Sequence, residues 1–131
     1  MDPINIPNVC FSVALNLDDE DYKEKIEWKK QREERGFDDS ELWDLDATIL
    51  RFTLPRLKEF VKQRVMGYPS RLEFDYPDCK NYDKLWWEDI LPNMIKGIER
   101  YIEEDPDFED RTVGTDKDLE LFFKYFSCLW T

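Results

Sequence analysis

Histidine is absent from the chain. That removes the Ser-His and Cys-His pairs that activate a nucleophile, and the zinc sites built on imidazole. Any chemistry would fall to carboxylates, lysine, tyrosine or cysteine. Cysteine is scarce: Cys10, Cys79 and Cys128 form no Cys-x-x-Cys pair and are too scattered for a disulfide framework. A reducing compartment fits that usage. No apolar run approaches the roughly 20 residues of a membrane span. The start of the chain lacks a basic stretch followed by an apolar one, so no standard export signal is expected.

What the 131 residues do carry is negative charge and aromatic surface. Thirty-one acidic side chains against 19 basic ones leave a formal charge of −12. Such a balance opposes binding to a phosphate backbone or an anionic membrane and favours basic partners. Aromatic residues make up 15% of the chain, which favours a folded protein despite 38% charged residues. The length suits one domain, 1–131, able to bury a core without disulfides.

The stretch from Asp38 to Pro69 organises the rest. Asp38 and Glu41 have the spacing of a capping box. Leu42, Leu45, Ile49, Phe52, Leu57, Phe60 and Val61 then recur near the helical period. Pro55 lacks an N–H and its ring crowds the carbonyl of Arg51, so the helix over 38–66 is expected to kink or break there. Gly67, Tyr68 and Pro69 end the segment.

On either side of it the chain is simpler. Val9, Phe11, Val13, Leu15 and Leu17 alternate with polar or small residues, which predicts a strand over 8–17. Leu72, Phe74 and Tyr76 alternate in the same way and predict its partner strand over 71–76. A charged helix is expected over 18–35, with Gly36 at its stop and opposite charges four apart, as in Lys30 and Glu34. Its thin apolar stripe is Tyr22 and Ile26, with Trp28 displaced around the cylinder. Another helix, over 83–104, presents Trp86, Ile90, Met94 and Ile98 on one face, with Pro92 either starting or kinking it. An acidic loop over 105–115 leads to a C-terminal helix over 116–130, capped by Thr115 and Asp118. Leu119, Phe122, Phe123, Phe126, Leu129 and Trp130 make that helix the most apolar element, to be buried in the domain or between copies of the chain. The fold class is therefore mostly α with an α+β character: a bundle of about four helices with a small two-stranded β element. There is no internal repeat.

Three groups of residues could carry chemistry. Glu24-x-x-Glu27 and Glu41-x-x-Asp44 place carboxylate pairs on helix faces, as Mg²⁺-dependent nucleotide pyrophosphohydrolases do. Lysines on the first helix compensate the first pair. Asp105, Asp107, Glu109 and Asp116 have part of the spacing of a calcium loop, but Asp110 stands where the sharp turn needs glycine and Pro106 intrudes. The third group is Trp43, Asp46, Arg51, Arg56, Tyr68 and Trp87, with Trp86 beside it. Aromatic faces with a few arginines suit a nucleotide, whose base stacks and whose phosphates meet guanidinium groups. The plainer reading is core tryptophans and surface arginines.

Phe37-Asp-Asp-Ser-Glu-Leu-Trp-Asp-Leu-Asp46, Pro55-Arg-Leu57, Gly67-Tyr-Pro69 and Trp87-Glu with Ile90, Leu91 and Met94-Ile95 form an ordered set. Leu121-Phe-Phe-Lys-Tyr-Phe126 with Leu129-Trp130 completes it. From Phe37 onward the chain thereby resembles a family of small tailed-bacteriophage proteins and their metagenomic relatives. It departs from their pattern at Pro92, where they carry a charged helix former. The likeness implies a source and no mechanism. A small acidic phage protein suggests interference with the host from within its cytoplasm, without a cofactor and without an enzymatic step. Two binding roles follow: an acidic surface that occupies and inhibits a basic host protein, or a nucleotide sponge that sequesters a signalling nucleotide. An enzyme of the pyrophosphohydrolase kind is the third reading. Neither nucleic acid nor membrane is expected as a partner, and association between copies of the chain is left open.

Overall fold

The computed structural model describes residues 22–103 and 116–130. These are mostly helical and contain no strand. No helix among them is long and apolar enough to cross a membrane. The chain falls into two compact units, Met1–Pro55 and Arg56–Thr131.

In the first unit, α1 spans Tyr22–Arg35. Gly36 ends it at φ 86°, with its N–H on the Arg32 carbonyl at 2.9 Å, as the αL stop requires. Among its described side chains the buried ones are Trp28 and Arg32, one turn apart, whereas Ile26 is half exposed. Trp28, expected off the inner stripe, is thus buried where Ile26 is not. The Asp38–Glu41 capping box is present: the Asp38 N–H donates to Glu41 Oε2 at 2.7 Å, and Asp38 Oδ1 accepts the Ser40 N–H at 2.8 Å. Asp38 also accepts from Arg32 and from the Ser40 hydroxyl, so the cap and an ion pair share one buried carboxylate. A second link is reciprocal: Gln31 exchanges side-chain and backbone hydrogen bonds with Asp39, both at 2.9 Å.

The long central helix differs from expectation. It is two helices, α2 (Ser40–Trp43) and α3 (Leu45–Gln63), separated at Asp44, whose backbone leaves the helical region. Thr48 Oγ1 bridges the break by donating to the Glu41 carbonyl at 2.8 Å. Pro55 lies inside α3 without ending it. The interruption at Asp44 resets the helical phase. Ala47 and Leu50 are buried, and Leu57 farther along, whereas Leu42, Leu45, Ile49 and Phe52 are about half exposed.

The second unit begins with the remainder of α3, followed by α4 (Arg71–Asp75) and α5 (Tyr82–Lys84). A π-helical segment, Leu85–Ile90, then runs into α6 (Leu91–Glu103). The expected strand over 71–76 is therefore a helix. Its hydrogen bonds are local, from Leu72 to the Pro69 carbonyl at 3.0 Å and from Tyr76 to that of Leu72 at 2.8 Å. Leu72 is fully buried while Phe74 is 86% exposed, so the two share no face. Three alternating residues fit one helical turn as well as a short strand, and local bonds need no partner. The proposed partner, 8–17, lies outside the described residues. With no strand among the described residues, the two-stranded β element is not seen.

Pro92 neither starts a helix after a turn nor ends one. The π segment precedes it, and the Leu91 N–H reaches back five residues to the Trp86 carbonyl. Proline cannot donate to the carbonyl four residues back and its ring crowds that oxygen. The wider turn relieves the conflict. The inner face follows the expected residues: Trp86, Ile90, Met94 and Ile98 are buried, joined by Leu91.

The last helix, α7, is Lys117–Lys124, shorter than the expected 116–130. Its cap is Asp116, which accepts the N–H groups of Asp118 and Leu119 at 3.0 and 3.1 Å. Thr115 lies outside the described residues, as does the acidic loop before it. At Tyr125 the helix gives way to a 3₁₀ turn, Phe126–Cys128. Leu119, Phe122 and Tyr125 are buried, and Phe123, Phe126 and Trp130 are exposed.

Two features join α6 to α7. A Cβ placed on Gly97 would lie 2.5 Å from the Leu119 backbone nitrogen and 2.7 Å from the Asp118 carbonyl carbon. Backbone meets backbone there, and neither atom can rotate away. One turn later Arg100 forks onto the start of α7: Nε and Nη2 reach the two oxygens of Asp116 at 3.1 and 2.9 Å, and Nη2 reaches Asp118 at 2.6 Å. The Arg100 hydrogen bond, chiefly, holds the Asp116 carboxyl below its ordinary value of 3.8.

Gly97→Ala is expected to lose about 2–3 kcal/mol of unfolding free energy, the upper part of the range for overpacking because the clash is with backbone; urea denaturation measures it. Asp116→Asn keeps a good N-cap residue and removes only the charge. Because the folded carboxyl titrates below its unfolded value, its contribution is complete above about pH 4 and fades as the pH falls further. The stability gap between wild type and Asp116→Asn should therefore be open at pH 6 and narrow below pH 4. A gap that stays constant across that range would dissociate the fork from the stability of α7.

Candidate functional site

The second unit holds a cavity of about 340 Å³. Three stretches of chain build it. The first is the α3–α4 connection, Val65 to Arg71; the second is the tryptophan pair Trp86 and Trp87 on the π segment; the third is Cys128 and Trp130 after the 3₁₀ turn. Its volume is at the low end for ligand clefts, roughly 300–1,000 Å³.

Each wall has an identifiable support. Gly67 adopts φ 115°, a conformation that other residues rarely adopt, and so turns the chain back over the tryptophans. Both of its backbone groups are held: its N–H donates to Asp83 Oδ1 at 3.2 Å, and its carbonyl accepts Trp87 Nε1 at 2.8 Å. The buried indole of Trp87 has thereby found a partner and stacks on Phe60 with centroids 5.5 Å apart. Trp86 meets the edge of the Tyr125 ring at 5.8 Å. Tyr68 stacks on Tyr82 at 5.2 Å, and its hydroxyl donates to Glu73 Oε1 at 2.7 Å. That hydrogen bond leads the causes that raise the phenol above its ordinary value.

Asp75 ties α4 to the end of α7 beside the cavity. One oxygen, Oδ2, accepts the Tyr125 hydroxyl at 2.7 Å and lies 3.3 Å from Arg71 Nε and 3.8 Å from Lys124 Nζ. The carboxyl is held below its ordinary value, first by the Tyr125 hydrogen bond. Tyr125 itself is pushed well above the usual tyrosine range, by burial and then by the same bond. Arg71 also donates through Nη1 to the Lys124 carbonyl at 3.0 Å, closing the end of α7.

The rim is acidic. Glu73 and Asp83 bond lining residues, and Arg64 Nη2 sits between Asp83 and Glu88 at 3.2 and 3.3 Å. Apolar groups stand exposed among these charges, with Met66 at 100% and Trp130 at 76%.

Of the six residues picked out from sequence, Tyr68 and Trp87 line this cavity, and Trp86 lines it with them. Arg56 belongs to the same unit, exposed on α3, and is not among the lining residues. Trp43, Asp46 and Arg51 belong to the first unit, where the exposed Trp43 packs edge-on against Trp28 at 5.3 Å. The structure adds Met66, Arg71, Cys128 and Trp130. Running the central helix to 66 concealed Met66, reading 71–76 as a strand concealed Arg71, and reading 116–130 as one helix concealed Cys128 and Trp130. Ser127 and Cys128, poor helix formers before the final Trp130, were the available signal for the turn that brings that end of the chain to the cavity.

Chemically, the cavity offers flat apolar walls and one lining guanidinium. Arg71 already uses Nε and Nη1 on Asp75 and Lys124, so the convergent cationic donors that grip a polyphosphate are not assembled there. Glu41, proposed from its spacing as a metal ligand, is buried and caps the Asp38 N–H. Asp116, the last position of the calcium-like spacing, is engaged by Arg100 and by the start of α7. No family model, curated protein or solved structure matches the chain.

Trp87→Phe keeps the stack on Phe60 and deletes the hydrogen bond to the Gly67 carbonyl. A loss of about 1 kcal/mol in unfolding free energy is expected, together with faster amide exchange across residues 67–70. Unchanged exchange there would mean that the indole does not hold the turn.

Proposed function

We propose that the chain is a non-enzymatic binding protein that holds, and thereby inhibits, a protein with a basic surface. Following the resemblance to small tailed-bacteriophage proteins, that partner is a host protein in the host cytoplasm, and the role is counter-defence or host takeover. One observation carries the reading: the formal charge of −12, with carboxylates at the rim of an aromatic-walled cavity. Opposed charge speeds encounter and suppresses wrong partners, while exposed tryptophan and tyrosine supply the anchoring area.

Two further observations favour binding a protein over the other readings. Neither Arg51 nor Arg56 lines the cavity, and the cavity's lining arginine is engaged. Two of the carboxylates with suggestive metal spacing, Glu41 and Asp116, are committed to capping helices.

Affinity capture from host lysate at 50 mM salt, followed by stepwise elution, tests the role. A protein of basic isoelectric point should be retained at low salt and released as the salt rises, because screening shortens the Debye length from about 14 Å to 8 Å at 0.15 M. Retention of no basic protein at 50 mM salt, or retention insensitive to salt, would overturn the role.

A further inference from the structure

The tryptophan cavity of the second unit has chemistry specific enough to say how a basic partner would sit on it. We propose that it is the docking surface itself, and that it receives one large apolar side chain from a polypeptide segment whose flanking residues are lysine or arginine. The proposal rests on the binding reading above and names the site and its ligand.

Three facts about the cavity select that ligand. Its size, about 340 Å³, and its walls of Trp86, Trp87, Tyr68 and Pro69 suit a single aromatic or branched side chain. The buried wall is fixed in advance, since Trp87 is bound to Gly67 and stacked on Phe60, so little ordering is needed on binding. The adaptable parts are outside: fully exposed Met66 and largely exposed Trp130 stand at the mouth, where a flexible thioether and a broad indole can close over an inserted group.

Charge selects what flanks the anchor. Glu73 and Asp83 touch lining residues, and Asp83 shares Arg64 with Glu88. Two carboxylates share that one guanidinium while Glu73 is bonded to the neutral Tyr68 hydroxyl, so this edge keeps negative charge after its internal pairing. Arg71, the cation within the lining, shares Asp75 with Lys124, which leaves that corner one positive charge against the two negative charges left at the Glu73, Asp83 and Glu88 edge. An apolar anchor followed by acidic residues would meet repulsion at this edge, and one followed by lysines would meet attraction.

The test uses the full chain and acetylated, fluorescein-labelled pentapeptides of the form Lys-Arg-X-Arg-Lys, with X as tryptophan, leucine or alanine, beside Glu-Asp-Trp-Asp-Glu. Fluorescence anisotropy at 50 mM salt should show binding of the tryptophan and leucine peptides at least tenfold tighter than the alanine one. The acidic peptide should not bind. Trp130→Ala, at a largely exposed side chain, and Tyr68→Ala, which gives up the stack on Tyr82 and the bond to Glu73, should each weaken the tryptophan peptide at least fivefold, with circular dichroism showing the helices retained.

Equal binding of the alanine peptide, or of the acidic one, would overturn the proposal, as would undiminished binding by Trp130→Ala. No binding of any peptide at millimolar concentration would overturn it too. Sedimentation that shows a dimer lost on Trp130→Ala would assign the cavity to a second copy of the chain instead. The two proposals fail separately. A basic protein captured equally by wild type and by the Trp130→Ala, Tyr68→Ala double variant leaves the binding role standing and removes the cavity from it.

Discussion

The second unit depends on the absence of one side chain. At Gly97 the backbones of α6 and α7 come closer than any Cβ would allow, and the buried row Met94, Ile98, Leu119 and Phe122 belongs to these two helices. Glycine weakens a helix by roughly 1 kcal/mol relative to alanine. Here that loss is offset by interhelical contact that no other residue permits. Arg100 then fixes the sliding coordinate, because its fork meets Asp116 and Asp118 only when the start of α7 lies one turn from the glycine.

The far end of α7 is held by different chemistry. Arg71 closes the Lys124 carbonyl while Asp75 collects the Tyr125 hydroxyl and two cations, so a five-residue helix is fastened through its polar residues as well as through Leu72. The cavity lies at this end. Its walls belong to elements whose positions are set by hydrogen bonds of named partners: Gly67 to Trp87 and Asp83, Tyr68 to Glu73, Arg71 to Asp75 and Lys124. The site is thus largely preformed in its buried wall and open to adjustment at its mouth, a division suited to recognition of a side chain.

Legibility from sequence followed the range of the interactions involved. The capping box of Asp38 and Glu41 was readable because both partners lie within one turn and each residue type has few other uses there. The inner face through Trp86, Ile90, Met94 and Ile98 was readable because buried periodicity repeats over several turns. The break at Asp44 was not, since aspartate has no steric objection to a helix, whereas Pro55 has one and yet remains inside α3. Leu72, Phe74 and Tyr76 were too few to distinguish a period of two from a single helical turn. Gly97 was illegible for another reason: what it accommodates is twenty-two residues away at Leu119, and nothing in its neighbours announces that distance. The candidate site was half visible, as tryptophans and a tyrosine, and half hidden in the turn after Tyr125 that brings Cys128 and Trp130 to it.

The π segment before Pro92 sets a phase relation along one continuous rod. An α-helix advances about 100° per residue, and a π turn carries roughly one residue more for each revolution. Shortening the stretch Leu85–Ile90 by a residue would restore regular winding and swing everything upstream by about that angle relative to Met94 and Ile98. Either the indoles would keep their seats and the following face would rotate into water, or the reverse. The slackened coil lets one length of chain serve two differently oriented surroundings at once. In a lineage, its gain or loss would re-aim both tryptophans in a single step.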